Sequence, residues 1–301
     1  MPTDPLSDVL SLLKPETYVA GGYDLGGNWS IQFNVHRGVK YFALLSGTAW
    51  IVIEGMANPM LLDAGDCVLL PHGKRFVITK DPSFQPLDFK ELRESDWSGG
   101  IATVNGGGEA MLLGGHFAFS DMYTDLLLGT MPPILRLRDD SDKLGLRWGL
   151  DRMRQELTGT QPGSALVVQH LAHLLLVQAL RLFLCHGAEQ GRGWLFALGD
   201  ARIAAAIAAI HAHPGVRWTS QSLAEKAGMS RSKFALRFKR VAGSSPIEYL
   251  TCWRMLLAKE RLAKGNEPVA AIAISLGYES VAAFSTAFKR VMGTSPRKYA
   301  D

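Results

Sequence analysis

Hydrophobic and polar positions follow two different patterns along this chain. Up to about residue 120, apolar and aromatic residues come in short runs such as WSIQFNV, KYFALLSG and DCVLLP, with Gly, Asn, Pro and Asp between them. This pattern is typical of an all-β sandwich or barrel. From Leu198 onward, apolar residues recur at helical spacing and Gly or Pro punctuates the segments. The chain is therefore predicted to be α+β, with a β-barrel followed by an all-α domain.

The middle of the chain predicts helices between these two regions. We expect a barrel domain over residues 1–135, a helical linker or dimerisation region over 136–190, and a helical domain over 191–301. A long helix is predicted over 164–186. Its polar Gln169 and Arg181 would be costly in lipid, so a buried amphipathic helix is favoured over a membrane span. Its wide apolar stripe predicts packing on the barrel and a contribution to a homodimer.

Composition and charge indicate a partner for the helical domain. Of the 301 residues, 47% are hydrophobic, which is typical of a globular protein. Three scattered cysteines and an N-terminus without a secretory signal pattern predict a cytoplasmic location. Residues 199–301 contain 16 Lys and Arg against 7 Asp and Glu, whereas the first 198 contain 16 against 21. A basic third joined to an acidic body suggests a polyanion partner.

A duplicated segment is the most informative feature of the basic third. FKRVAGSSPIEYL, which begins at Phe238, recurs as FKRVMGTSPRKYA at Phe288. Each copy follows a short predicted helix, a glycine (Gly228 or Gly277) and a tight turn. Helix, tight turn and second helix form the helix-turn-helix arrangement, in which the second helix enters a DNA major groove.

The apolar positions of both second helices fall on one stripe, which in the first copy is Phe234, Phe238 and Val241. The opposite face is small, polar or basic. Cations in and around the two helices can neutralise DNA phosphates on either side of a groove. The predicted phosphate-binding residues are Arg231, Lys233, Arg237, Lys239, Arg240, Lys289, Arg290, Arg297 and Lys298.

The segments LAEKAGMSRSKFALRFKRVAGSSPIEYL and IAISLGYESVAAFSTAFKRVMGTSPRKY closely resemble the DNA-binding domain of AraC/XylS-type transcriptional regulators. The resemblance implies double-stranded promoter DNA as a partner, with RNA polymerase as a further candidate. The positions that match the family's base-facing sites are Ser232, Ala235, Leu236, Val281, Ala282, Ser285 and Thr286. None of these side chains can make a bidentate guanine contact, so phosphate contacts and dimerisation are expected to supply much of the affinity.

The segment LLDAGDCVLLPHGKRF resembles the second cupin motif, and the first 135 residues resemble the cupin-type sensor of one AraC-type subgroup. Catalytic cupins hold a metal with histidines and a glutamate. Here Phe76 and Phe42 stand at two of the histidine positions, and His36 and Glu54 are not at ligand spacing. We therefore predict no metal, no cofactor and no enzymatic activity. The alternative is a metal-dependent cupin enzyme with an accessory helical domain.

Two interpretations of the barrel's aromatic residues stay open. They form either a filled core or a small-molecule effector pocket with a few orienting polar groups. The predicted pocket residues are Trp29, Phe33, His36, Tyr41, Phe42 and Trp50. A redox role for Cys67 is a further alternative, against the simpler role of a small buried residue. His170 and His173 are expected to be structural rather than metal ligands.

Overall fold

The computed structural model describes residues 4–12, 17–92, 97–98, 100–118, 131–137, 143–159, 161–186 and 193–300. The chain divides into two compact units. The first consists of Pro15–Gly187, and the second of Ala188–Asp301 together with Met1–Lys14. The division differs from the three predicted regions, because helices after residue 136 belong to the same unit as the strands. In addition, the N-terminal residues belong to the helical unit.

Helix α1 (Pro5–Leu12) precedes the β-rich unit. The strands are β1 (Thr17–Leu25), β2 (Ser30–Phe33), β3 (Val39–Ser46), β4 (Thr48–Ile53), β5 (Met60–Asp63), β6 (Cys67–Leu70), β7 (Phe76–Thr79), β8 (Leu87–Asp88), β9 (Trp97–Ser98), β10 (Ile101–Val104), β11 (Ala110–Ala118) and β12 (Leu135–Leu137). A short 3-10 helix covers Phe89–Glu91.

The strands form two sheets. One has the order β12-β6-β3-β11-β1-β10-β9, and the other has the order β5-β4-β7-β2-β8. Alternate residues of each strand face the same way, so every second side chain of β3 and β2 enters a common apolar core. Members of this core from both sheets are Ile31, Phe33, Phe42, Leu44, Ile51, Val68, Phe76, Ile78 and Leu112. This is the predicted cupin-type β-domain.

Two helices complete this unit, α2 (Lys143–Thr158) and α3 (Ser164–His186). They pack against each other and against β1, and α3 also contacts β12. Within the described part of the chain, the segment Ser164–Leu182 is the one candidate with the length and composition to cross a membrane. The core helix of a globular domain meets the same criterion.

The helical unit contains α4 (Trp194–Gly199), α5 (Ala201–Ala212), α6 (Ser220–Lys226), α7 (Arg231–Ala242), α8 (Pro246–Lys264), α9 (Val269–Ser275), α10 (Val281–Met292) and α11 (Pro296–Ala300). Side-chain caps fix several of the starts. Asp200 accepts from the backbone N–H groups of Arg202 and Ile203, and Ser245 with Glu248 forms a capping box that begins α8. With the β-rich unit, these helices confirm the predicted α+β fold class.

Candidate nucleic-acid interface

Helices α7 and α10 are structural copies of each other. Position by position over their twelve residues, the two helices have the same sequence of exposed, half-buried and buried side chains. Phe234 and Phe238 in α7, and Phe284 and Phe288 in α10, are fully buried. The apolar stripe predicted from the sequence therefore anchors each helix, and the opposite face is left open to solvent.

The turns before these helices also share one geometry. Gly228 and Gly277 have positive φ (60° and 80°), and the next residue's N–H reaches back to Ala224 in one copy and Ala273 in the other. These are Schellman-type closures, which glycine favours. The second turn is one residue longer and ends at Ser280, whose hydroxyl accepts from the Ala283 N–H at 3.1 Å.

The repeated Phe and Tyr residues form equivalent aromatic contacts at the ends of the two copies. The Phe238 ring lies 5.8 Å from Tyr249, and the Phe288 ring lies 6.1 Å from Tyr299. Gly243 (φ 79°) closes α7 and Gly293 (φ 70°) closes α10 in the left-handed conformation. Each donates its N–H to the carbonyl four residues earlier. The repeated aromatic and glycine residues of the duplicated segment therefore hold α7 and α10 in place.

The residues predicted to face bases lie on the open sides of α7 and α10. Ser232, Leu236, Val281, Ala282 and Thr286 are exposed, and Ala235 and Ser285 are half-buried. Leu236 has 76% of its surface exposed, so it is free to contact a thymine methyl group. The Thr286 hydroxyl donates to the Ala282 carbonyl at 3.0 Å, which leaves its lone pairs available as acceptors.

Eight of the nine predicted phosphate-binding cations are exposed. They are Arg231, Lys233, Lys239, Arg240, Lys289, Arg290, Arg297 and Lys298. Arg237 is the exception, because its Nε atom lies 2.5 Å from Oδ2 of the largely buried Asp200. Asp200 also caps α5, so Arg237 ties α7 to α5. This contact favours a structural role for Arg237, and its phosphate contact stays a prediction.

Arg254 on α8 joins the turn of the second helix-turn-helix copy to the segment before the first copy, a role that the sequence did not reveal. It is buried, and its guanidinium donates to the carbonyls of Pro214 at 2.7 Å and Val216 at 2.9 Å, before the first copy. The same guanidinium lies 5.5 Å from the ring centroid of Tyr278 in the second turn. One side chain therefore fixes the second copy, and the segment that leads into the first copy, to the central helix.

A second unpredicted feature is the packing of α1 on the helical unit, against α4, α5 and α8. The buried His211 ring stacks on Trp253 at 3.7 Å and contacts Asp8 of α1 and Tyr249 at 3.2 and 2.9 Å. Burial lowers the pKa of His211 to about 4, although Asp8 acts in the opposite direction. A neutral His211 therefore links α1 to the core of the first copy.

In the β-rich unit, the predicted pocket residues separate into two groups. Trp29, Phe33 and Phe42 face the core between the sheets. Tyr41 and Trp50 do not, so the prediction that they line the barrel is wrong. Because side chains alternate along a strand, the neighbours of inward-facing residues point outward. The Tyr41 hydroxyl accordingly lies 3.4 Å from the Met153 sulfur on α2.

The residues at the cupin metal positions do not fit a metal. Phe42 and Phe76 pack with ring centroids 5.5 Å apart, and Phe33 stacks on Phe76 at 4.9 Å. Phenyl rings offer no lone pair to a cation, whereas a metal needs three or four converging donors. Among the described residues, no group of three or more His, Cys, Asp or Glu side chains could hold an ion.

The contacts of Cys67 and His173 indicate structural roles for both residues. Cys67 is buried, and burial together with the Asp66 charge raises the pKa of its thiol to about 12, which disfavours the reactive thiolate. The His173 ring packs against Phe117 at 5.2 Å, and its Nδ1 lies 2.8 Å from the Gln169 carbonyl. His170, one turn away, is exposed.

A cupin-type β-domain and two helix-turn-helix copies define a DNA-binding transcription regulator. Residues 4–185 match the family model described as Cupin, and residues 223–301 match that described as Helix-turn-helix domain. A "Putative AraC-like transcription regulator" of Streptomyces lividans is 40% identical over 98% of this chain and 97% of its own. One of the same name from Streptomyces antibioticus is 38% identical over 98% of each.

The "RCS-specific HTH-type transcriptional activator RclR" of Escherichia coli strain K12 is 31% identical over 99% of this chain and 97% of its own. These similarities extend over both units of the chain. The chain belongs to the family of AraC-like transcription regulators. Its helix-turn-helix domain is thus of the type that binds double-stranded DNA.

Proposed function

We propose that this chain is a homodimeric regulator whose α7 and α10 bind two successive major grooves on one side of promoter DNA. The observation that carries this proposal is the equivalence of the two helices in burial, closure and exposed cations. Successive grooves on one face lie about 34 Å apart, which is one helical turn. The eight exposed cations contact phosphates, and the seven outer side chains of α7 and α10 contact bases.

In vitro selection of bound duplexes tests this proposal. We expect each half-site to contain two preferred blocks separated by about one helical turn, ~10 base pairs. Paired half-sites would support a homodimer. A pool that shows no preferred sequence, or a single short block, would contradict the proposed use of both helices.

The dimer contact is assigned to α3. Leu166 and Leu174 are exposed on one side of this helix, with 57% and 40% of their surfaces accessible. They lie two turns apart, so they share a face that a second copy of the helix would cover. Light scattering on the Leu166→Glu, Leu174→Glu double variant is expected to give a monomer, whereas the native chain gives a dimer.

The cupin-type unit acts as the sensor of a small-molecule effector in this proposal and has no catalytic role. The packed phenyl rings of Phe42 and Phe76 at the metal positions support a binding rather than an enzymatic function. In this proposal the chain works in the cytoplasm and contacts RNA polymerase. It acts as an activator, as the name of the Escherichia coli relative says of that protein. Transcription in vitro with purified polymerase, with and without this chain, tests the sign of regulation.

A further inference from the structure

One end of the inner face of the β-rich unit carries a lysine among aromatic rings. Lys40 is on β3, on the same side of the strand as Phe42 and Leu44, both of which belong to the core. Its ammonium nitrogen lies 4.9 Å from the ring centroid of Phe33 and 5.5 Å from that of Phe76. Lysine at a core-facing position requires a reason, because it is among the residues least often buried.

No carboxylate in the described part of the chain pairs with Lys40. Burial lowers the pKa of its ammonium to about 8, and no nearby acid raises it. A positive charge held half-buried over apolar rings is stabilised by an anion, and the described residues provide none.

His36 adds an unpaired hydrogen-bond acceptor beside this charge. Its Nδ1 lies 3.3 Å from the Asn34 carbonyl, which can only accept, so Nδ1 carries the ring proton. Nε2 is buried and has no hydrogen-bond partner within the described residues. Burial and the Lys40 charge lower the pKa of His36 to about 4, so the ring is neutral and Nε2 offers a lone pair. A buried lone pair of this kind is stabilised by a donor.

Stacked rings lie next to these two groups, with Phe33 and Phe76 buried in the core and Phe89 half-buried. Phe33 lies between Phe76 and Phe89, with centroid distances of 4.9 and 5.6 Å and interplanar angles of 12° and 21°. The His36 segment is fixed by its N–H, which donates to the Gly73 carbonyl at 3.0 Å. A side chain at Gly73 would lie 1.9 Å from the His36 carbonyl oxygen, so this close approach requires glycine. The close approach of the two backbone segments therefore fixes the position of His36.

We propose that Lys40, His36 and the rings of Phe33, Phe76 and Phe89 bind a small organic acid with an apolar body and a hydroxyl group. The Lys40 ammonium pairs with the ligand carboxylate, and the His36 Nε2 accepts from the ligand hydroxyl. The phenyl rings face the apolar body. The inference rests on the proposed function, because it gives the sensor unit a chemical class of effector.

Calorimetry on the full chain without DNA tests the ligand class with four probes: 3-hydroxybenzoate, benzoate, 3-hydroxybenzamide and acetate. We expect 3-hydroxybenzoate to bind more tightly than benzoate. We also expect it to bind at least ~10-fold more tightly than the neutral amide, because a charge-assisted hydrogen bond is lost. Acetate, which has no apolar body, is expected to bind weakest. Equal affinity for acid and amide, or no binding by any probe at millimolar concentration, would overturn the proposal.

Substitutions separate this site from a purely structural role. Lys40→Met keeps the stem and removes the charge, so 3-hydroxybenzoate affinity is expected to fall at least ~10-fold. The unliganded variant is expected to melt about 2–4 °C higher, because an uncompensated charge has gone. The matched control Lys74→Met removes an exposed ammonium and is expected to change neither value. A lower melting temperature with unchanged affinity for Lys40→Met would show that Lys40 only supports the fold.

His36→Phe tests the second contact. It is expected to abolish the preference for 3-hydroxybenzoate over benzoate while Lys40-dependent binding of both remains. A preference that survives would remove His36 from the site. DNA binding is measured separately and without probe, so loss of DNA binding counts against the regulator alone, and loss of probe binding counts against this site alone. Probe binding that leaves DNA occupancy unchanged would overturn the sensor role and support the site.

Discussion

The two helix-turn-helix copies have the same buried core and helix ends but different exposed residues. Phe238 and Phe288 are equally buried, and Gly243 and Gly293 have nearly the same φ. The outer positions differ, with Leu236 in α7 where Thr286 stands in α10. The two copies thus share the residues that hold a helix against the core and differ in those that would touch bases. Residues that are identical in the two copies are therefore the structural ones.

The copies also differ in what supports them. Arg237 is bound to Asp200, while Ala287 stands at the equivalent place in α10. Tyr249 contacts His211, whereas the equivalent Tyr299 has the Lys259 ammonium 5.9 Å from its ring centroid. The first copy is thus tied to α5 and α1 by polar contacts, and these ties are predicted to be absent from the second. The predictions below test this comparison.

The largest effect is expected from the shared core. Phe238→Ala and Phe288→Ala each delete a fully buried ring, which costs about 3–5 kcal/mol of unfolding free energy. Hydrogen-exchange mass spectrometry on peptides of the helical unit would measure the loss in each copy. We expect similar losses. If one copy tolerated the change, the two cores would not be equivalent.

The two turn glycines are expected to respond differently. Gly228 has open space where a Cβ would stand, so Gly228→Ala incurs only the left-handed backbone cost of about 1–2 kcal/mol. A Cβ on Gly277 would lie 2.3 Å from the Gly215 carbonyl oxygen and 2.8 Å from Arg254 Nη2. Gly277→Ala should therefore be clearly more destabilising in chemical denaturation. Equal costs would contradict the close packing of Gly277 against Gly215 and Arg254.

Lowering the pH should weaken the contacts that hold the first copy before it weakens those that hold the second. The folded-state pKa of His211, about 4, lies below its usual 6.5. The contribution of neutral His211 to the free energy of unfolding is therefore complete above pH 6.5. It is lost as the pH falls from 6.5 toward 4. The slope is at most about 1.4 kcal/mol per pH unit. Hydrogen exchange at pH 7 and pH 5 should show α1 and α5 opening first, and His211→Gln should remove this dependence.

The smallest effect distinguishes two arginines of α7. Arg240→Ala removes an exposed cation, so the slope of log affinity against log salt should become shallower by about 1. Arg237→Ala should leave that slope unchanged and lower stability, because it leaves the largely buried Asp200 unpaired. A change in slope for Arg237→Ala would restore its predicted phosphate contact.

Sequence reasoning was most successful where periodicity and repetition coincide. The stripe of Phe234 and Phe238 follows from a helical repeat, and its copy fifty residues later confirmed the pattern independently. In the β-rich unit, the same reasoning misplaced Tyr41 and Trp50, because aromatic character was used without the strand alternation. Applied to β3, alternation would have put Lys40 beside Phe42 on the inner face.

Other contacts could not be predicted, because they join residues far apart in sequence. Asp8 meets His211 across two hundred and three positions, and Arg237 meets Asp200 across thirty-seven. A short apolar helix at the N-terminus carries no signal that it packs with the helical unit rather than with the strands that follow it. Likewise, Arg254 has the pattern of an ordinary helix cation, although its guanidinium is buried between two turns.

A hydroxyl-radical footprint of the full chain on a duplex with one selected half-site tests the central claim most directly. Two recognition helices held by α8 predict two protected patches on one face of the DNA, about one helical turn apart, ~10 base pairs. Thr286→Arg should alter only one of these patches. A single protected patch, or two patches on opposite faces, would contradict DNA binding by both copies.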